Sequence, residues 1–196
     1  MCNLYSLKTA DLFRTWERVL RLPVVWDSDR PVSNLEPRPE IRMTEIAPIV
    51  RHVGDQAVVS MTKWAWAGPG GKPVFNFRSD GRTFGDSDRV LIPADAFYEF
   101  TDPLPGQKRK TRWKFTMPES PLFWVAGIVK QGCWSMLTTE PGPDIQPYHD
   151  RQIVVLPGEQ GRDWLDLTKP EGDILRPALA GTLAVERDFP PPELLG

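Results

Sequence analysis

The chain has 196 residues, 40% hydrophobic and 26% charged, with a formal net charge of −2; this suits one globular domain with a sizeable core and excludes a general polyanion binder, so any nucleic-acid surface has to be local. No apolar run approaches the roughly 20 residues of a membrane span, and no basic-then-apolar start marks a secretory leader. Two cysteines, Cys2 and Cys133, make no disulfide framework, so a reducing, cytoplasmic setting is expected, with no membrane partner.

The chain opens Met1-Cys2-Asn3. Initiator methionine is normally trimmed before a small residue, and trimming leaves Cys2 with a free α-amine and a thiol on adjacent carbons. Their reference pKa values are about 7.7–8.0 and about 8.5, so both are partly reactive near neutral pH. Such an aminothiol takes an aldehyde as an imine and closes it through sulfur into a thiazolidine. Any chain can carry Cys at position 2 by chance, so this start decides nothing alone.

Thr9 is placed to cap a helix over 10–22, with Leu12, Phe13, Trp16, Val19 and Leu20 on one face at helical spacing. That stripe reads as core packing. Residues 23–48 are proline-rich with little periodicity and read as an irregular wrap. Strand patterns follow over 57–66, 90–92 and 96–101, the last two split at Pro93. Residues 112–117 alternate, with Trp113, Phe115 and Met117 on one face. Segments 122–130 and 133–139 form a hairpin around Gln131-Gly132, and 153–156 is a short buried strand. A short helix over 161–167 precedes a mixed tail. Strands outnumber helices and lie close in sequence, which predicts an α+β single domain over 1–196. Its sheet is mainly antiparallel and curved or barrel-like, with flanking helices.

Two histidines and two cysteines are too few for a recognised zinc spacing, so neither a metal nor a cofactor is expected. Gly68-Pro69-Gly70-Gly71-Lys72-Pro73 is superficially like a phosphate loop, but Pro73 stands where Ser or Thr is needed; it reads as a turn. Asn76-Phe77-Arg78-Ser79-Asp80 packs an amide, a guanidinium, a hydroxyl and a carboxylate into five residues. It suits either a site that orients a reacting group beside a phosphate or a self-stabilised polar turn. In Phe97-Tyr98-Glu99-Phe100 a carboxylate lies among aromatics. It is either a desolvated acid–base group or a solvent-facing residue on an edge strand. His149, followed by Asp150-Arg151, is a catalyst or a loop histidine, and His52 is assigned to the surface. Lys108-Arg109-Lys110-Thr111-Arg112-Trp113-Lys114 fits a single-stranded nucleic-acid platform and a solvated hairpin equally well.

Taken together, these stretches resemble the SOS response-associated peptidase (SRAP) family of abasic site processing proteins. The matching pieces run in order: Met1-Cys2, Met61-x-x-Trp64, Asn76-x-Arg78-Ser79, Arg89 leading into Pro93-Ala94-Asp95-x-Phe97-Tyr98-Glu99-Phe100, Thr138-Thr139-Glu140, and His149-x-Arg151. They span residues 1–156. The resemblance implies a β-rich core with flanking helices. It also implies an autoprocessing cysteine peptidase in which Cys2 cross-links to the aldehyde of an abasic site in single-stranded DNA, with possible lyase activity. It puts Asn76, Glu99 and His149 around Cys2, with Glu99 moving protons, His149 acting as acid on the sugar oxygen and Asn76 orienting the sugar or amine. Arg78 and Arg151 would hold phosphates and Trp64 would stack near the lesion. The protein would act as a monomer in the cytoplasm, on the nucleoid when bound. The chain departs from the pattern at Asn3-Leu4 (usually Gly-Arg), Ala65 (usually Gly), Asp80 (usually Glu) and Asp150 (usually Pro). Two rivals remain at this stage: an N-terminal-nucleophile amidohydrolase using the same thiol, and a noncatalytic single-strand-binding module built on Trp113 and the basic run.

Overall fold

Runs of β-branched and aromatic residues set the architecture. The computed structural model describes residues 1–8, 12–27 and 35–191. The chain begins with β1 (Leu4–Leu7), α1 (Leu12–Leu20), β2 (Val24–Trp26), β3 (Arg38–Arg42), β4 (Ile46–Val53) and β5 (Gln56–Trp64). Short strands β6 (Trp66–Ala67), β7 (Pro73–Val74) and β8 (Asn76–Arg78) follow. Then come β9 (Asp88–Ala94), β10 (Ala96–Thr101), β11 (Thr111–Thr116), β12 (Phe123–Lys130) and β13 (Cys133–Thr139). The chain finishes with β14 (Gln152–Ile153), β15 (Val155–Leu156), α2 (Gly161–Asp166), α3 (Glu171–Ile174) and β16 (Ala184–Phe189).

The larger sheet runs β14-β13-β12-β9-β4-β5-β2, and a further pairing of β13 with β5 closes its middle five strands into a barrel. Closure leaves those strands without free edges. A second sheet, β16-β11-β10-β1-β3, is antiparallel throughout. This is the expected α+β class with a curled, mainly antiparallel core; the parallel pairings are β2–β5, β13–β5 and β13–β8. The barrel wall is tight at Gly127 on β12, where a Cβ would meet Ile92 Cδ1 at 2.4 Å and the Ser135 carbonyl at 2.8 Å.

The helix expected over 10–22 is seen from Leu12 to Leu20; Thr9 and its capping role lie outside the described residues. Trp16 and Leu20 are fully buried, and Trp16 packs on Trp124 with centroids 5.5 Å apart. The helix stops early because Arg21 turns to φ 53° while its N–H still reaches Glu17 O, and Pro23 follows two residues on. At α2, Trp164 donates from Nε1 to the Val90 and Gly127 carbonyls, tying the helix to the barrel.

Two expectations fail here. Residues 23–48 are not an irregular wrap: they contain β2, β3 and the start of β4. Two of their prolines sit where a missing N–H costs little. Pro39 lies on the edge strand β3, and Pro48 pairs with Met61 of β5 while β4 meets β9 at Val50–Leu91. Pro93 does not end its strand either; it pairs with Trp124 inside β9. The corner to β10 is made at Asp95, whose carboxylate accepts hydrogen bonds from Ser6 Oγ and the Lys8 N–H.

Candidate active site

The first residues lead into β1, which lies between β10 and β3 in the second sheet. Tyr5 pairs with Phe97 and Ser6 with Ala96, so the strand carrying Glu99 flanks the one that Cys2 leads into. Beneath β1, Tyr5 rests against Trp64 and Trp134 in edge-on contacts at 5.4 and 6.2 Å. Cys2 is 1% exposed and its thiol donates to the Leu4 carbonyl at 3.4 Å. Asn76, at the start of β8, donates from Nδ2 to the Cys2 carbonyl at 2.7 Å. Its Oδ1 is buried and has no hydrogen-bond partner among the described residues.

The Met1 ammonium lies between two acid–base groups. It donates to His149 Nε2 and stands 3.3 Å from Glu99 Oε2. Burial pushes the Glu99 carboxyl up to about 7, the Met1 ammonium pulls against that, and Asp150 pushes it further up. The backbone N–H of Cys2 also hydrogen-bonds to this carboxylate. Burial, with Glu99 adding to it, pushes the Cys2 thiol up to about 12; backbone hydrogen bonds at Leu4 and Tyr98 only partly offset this. The thiol is therefore protonated at rest and reacts only as its proton is handed to a neighbouring base.

His149 is presented by the turn before β14. Its N–H donates to the Ile145 carbonyl at 3.0 Å, and Tyr148 beside it packs against Trp113 and Phe115 at 4.8 and 5.3 Å. At Nδ1 two neighbours make opposite demands. The Asp150 carboxylate at 2.8 Å favours a protonated Nδ1, and the Arg151 N–H at 3.0 Å favours a bare one. Burial and then the Met1 ammonium hold the imidazole below its ordinary pKa, with Asp150 opposing them. The cleft above these groups is about 440 Å³ and is lined by Met1, Asn3, Glu99, Phe100, Lys110 and His149. A wider groove of about 800 Å³ beside β2, β4 and β5 is lined by none of Cys2, Glu99 and His149.

Cys2, Asn76, Glu99 and His149 are thus brought together. Arg78 is exposed, with no ion pair among the described residues. Two assignments need correction. Trp64 offers no stacking face: it is fully buried, lies flat on Trp134 at 4.9 Å and donates from Nε1 to Phe75 O. It is the floor under β1. Arg151 is only 11% exposed; it is paired with Asp80 and donates to the Thr138 carbonyl at 3.0 Å. It braces β13 against the loop after β8 rather than reaching out for a phosphate. The half-buried Trp113 is likewise occupied, donating to Thr101 Oγ1 at 2.9 Å. His52 is no surface histidine: its Nδ1 meets Asp166 of α2, and its Nε2 is buried with no partner among the described residues. Sequence reasoning missed Asn3, Phe100 and Lys110 as lining residues. Lys110 carried a signal as part of the basic run and Phe100 as the aromatic that follows Glu99, while Asn3 stood out only as a departure from the family pattern. Among the described residues no cluster of ligating side chains could hold a metal ion.

Over 104 residues the chain is 31% identical to "Abasic site processing protein YoqW" of Bacillus subtilis (strain 168), a stretch covering 47% of this chain and 45% of YoqW. "Abasic site processing protein YoaM" of the same organism matches at 31% over 104 residues, covering 47% and 44%. The chain therefore spans under half the length of these relatives. A phage-related protein from Bordetella bronchiseptica has the same fold, with a TM-score of 0.68 at 20% identity, covering 95% of this chain and 93% of that one. A protein from Bacteroides thetaiotaomicron gives 0.66 at 16%, covering 95% and 91%. Residues 1–187, from Met1 through the whole cleft into β16, match the family model for SOS response associated peptidase, and the chain belongs to that SRAP family.

Proposed function

We propose that this protein processes abasic sites in single-stranded DNA, and that Cys2, freed of Met1, forms a covalent thiazolidine with the lesion's aldehyde. The observation that carries the reading is at the terminus. The Met1 amine sits between Glu99 and His149, while the Cys2 nitrogen behind it is already hydrogen-bonded to Glu99. Removal of Met1 turns that nitrogen into the reactive amine without moving it out of the site. The family name and the names of the relatives support the substrate class.

The steps balance as follows. In autoprocessing, the Cys2 thiol attacks the Met1 carbonyl, the C–N bond breaks and the Cys2 nitrogen takes the proton; water then hydrolyses the thioester and releases methionine. In cross-linking, the amine adds to the sugar's C1′ aldehyde and the resulting hydroxyl leaves as water, protonated by Glu99. The thiol then adds to the imine carbon as its proton passes to nitrogen. Glu99, with its pKa near working pH, is suited to both giving and taking the proton. His149 protonates the sugar oxygen on ring opening and assists reversal or strand-cleaving side reactions. Asn76 holds the Cys2 carbonyl and offers its free Oδ1 to the sugar. The condensation needs no metal or cofactor. The chain works as one domain and as a monomer, in the cytoplasm and on the nucleoid when bound.

The test is intact mass followed by incubation with an abasic single-stranded oligonucleotide. The expected result is a chain lacking Met1 and a heat-stable adduct. A chain that hydrolyses a small amide yet forms no adduct would instead be an N-terminal-nucleophile amidohydrolase.

A further inference from the structure

Met1 shows what the cleft holds. Its carbonyl carbon is bonded to the Cys2 nitrogen, where the carbon of any condensing aldehyde must later sit. The Met1–Cys2 peptide is trans, and a trans amide and an extended imine place the next carbon alike. That carbon is the Met1 Cα, and two branches leave it. The side chain runs outward, and Met1 is 44% exposed. The ammonium turns in: it donates to His149 Nε2 and lies 3.3 Å from Oε2 of Glu99, a residue only 2% exposed. Behind them Asn76 Nδ2 holds the Cys2 carbonyl at 2.7 Å, and the Cys2 N–H bonds to Glu99. A deoxyribose carries no cation, so an abasic site does not use the ionic half of this cradle.

We propose that Glu99 and His149 form an α-ammonium subsite, and that the protein freed of Met1 takes L-α-amino aldehydes there as small-molecule ligands, bound covalently to Cys2. This rests on the reading that the free Cys2 aminothiol condenses with aldehydes. The Cys2 amine adds to the aldehyde carbon, the resulting hydroxyl leaves as water, and the thiol adds to the imine carbon as its proton passes to nitrogen. Nothing is oxidised or reduced, and the α-ammonium is not consumed. The product carbon is bonded to the Cys2 nitrogen, the Cys2 sulfur and a carbon that bears an ammonium. The tetrahedral intermediate of Met1 removal has the same bonds, with an oxygen where the thiazolidine has hydrogen. A site that lowers the barrier to that intermediate holds a stable copy of it more tightly than the substrate. Charge agrees with shape. In the Met1 chain the Cys2 nitrogen is a neutral amide, and in the thiazolidine it is a weakly basic amine, so in both Glu99 faces one cation. Handedness follows from the two branches: a D-aldehyde must send its side chain into the cradle or its ammonium to solvent. The side chain of the L-form faces out, so its size counts for little.

The experiment uses the full chain with Cys2 exposed by cleaving off a leader placed before it, so that removal of Met1 by the protein itself is not needed. Propanal, L-alaninal and D-alaninal are each titrated in, and intact mass reads the adduct as a gain of the aldehyde less one water. A free Cys-Asn-Leu peptide, titrated in parallel, sets the intrinsic reactivity of each aldehyde. Relative to that peptide, L-alaninal should reach half-occupancy at a concentration about tenfold or more below propanal, the worth of a hydrogen bond to a charged group, and D-alaninal should stay within about threefold of propanal. Glu99→Gln should bring L- and D-alaninal to the same half-occupancy. That ratio is read at equilibrium, so slower condensation in the variant does not disturb it. Equal half-occupancies for L- and D-alaninal in the parent, or an L-preference that survives Glu99→Gln, would overturn the subsite. The two readings fail separately. All three aldehydes bound alike, with an abasic oligonucleotide still cross-linked, removes the subsite alone. No adduct with any aldehyde or with the oligonucleotide removes the Cys2 chemistry, and the subsite with it.

Discussion

The chain has two histidines, and both touch an aspartate through Nδ1. His52 pairs with Asp166, which is 18% exposed and also bound by Arg162, and the pair ties β4 to α2. His149 pairs with Asp150, which is 86% exposed, and points Nε2 at the Met1 amine beside Glu99. A histidine–carboxylate contact therefore says little by itself. The difference lies at the other ring nitrogen, which is sealed in the protein for His52 and opens on a cleft holding an amine and a second acid for His149. Function follows from that third group.

The contrast can be broken most sharply at the nucleophile. Cys2→Ala should abolish the heat-stable adduct with abasic single-stranded DNA, and Cys2→Ser should leave at most a labile imine or oxazolidine; gel analysis after heating reads both. Next, His149→Ala should slow single-turnover adduct reversal by roughly 10²–10⁴-fold, while His52→Ala should leave cross-linking and reversal rates within about twofold of the parent. A rate defect in His52→Ala as large as that of His149→Ala would erase the distinction between the two pairs.

Glu99→Gln carries a rate effect and a stability effect of known sign. Cross-linking should slow across the neutral range. The folded carboxyl titrates near 7 against an ordinary 4.5, so the native state holds its proton more tightly than the unfolded chain. Folding stability is then fully present below about pH 4.5 and falls as pH rises towards 7. Glutamine removes that loss, so the variant should gain on the parent by up to about 3 kcal/mol at pH 8 and by little at pH 5. Urea melts at the two pH values measure it. The smallest effect belongs to Asp150→Asn. Losing an exposed carboxylate should lower the His149 pKa and shift the acidic limb of the reversal profile down, a shift that 1 M salt erases.

The barrel strands, the α1 stripe and the hairpin at Gln131-Gly132 were legible because periodicity and turn chemistry agree there. β2, β3 and the start of β4 were not, because prolines read as breakers unless one knows which side of a strand lacks a neighbour. The gathering of Cys2, Asn76, Glu99 and His149 was legible through the resemblance and not through spacing. Trp64 was misread for a physical reason: an aromatic in a site motif looks like a platform until its indole N–H finds Phe75 and its ring finds Trp134. Arg151 failed likewise, since its partner Asp80 lies 71 residues away in sequence.

Chain ends are usually the first part of a fold to fray. Here the strand that follows the nucleophile lies inside a five-stranded sheet, between β10 and β3, on a floor of stacked tryptophans. Local opening around Cys2 therefore has to break the same contacts that hold the domain together. The aminothiol should switch off cooperatively: as denaturant rises, cross-linking competence should persist until global unfolding and vanish with it, instead of fading beforehand as a loose terminus would.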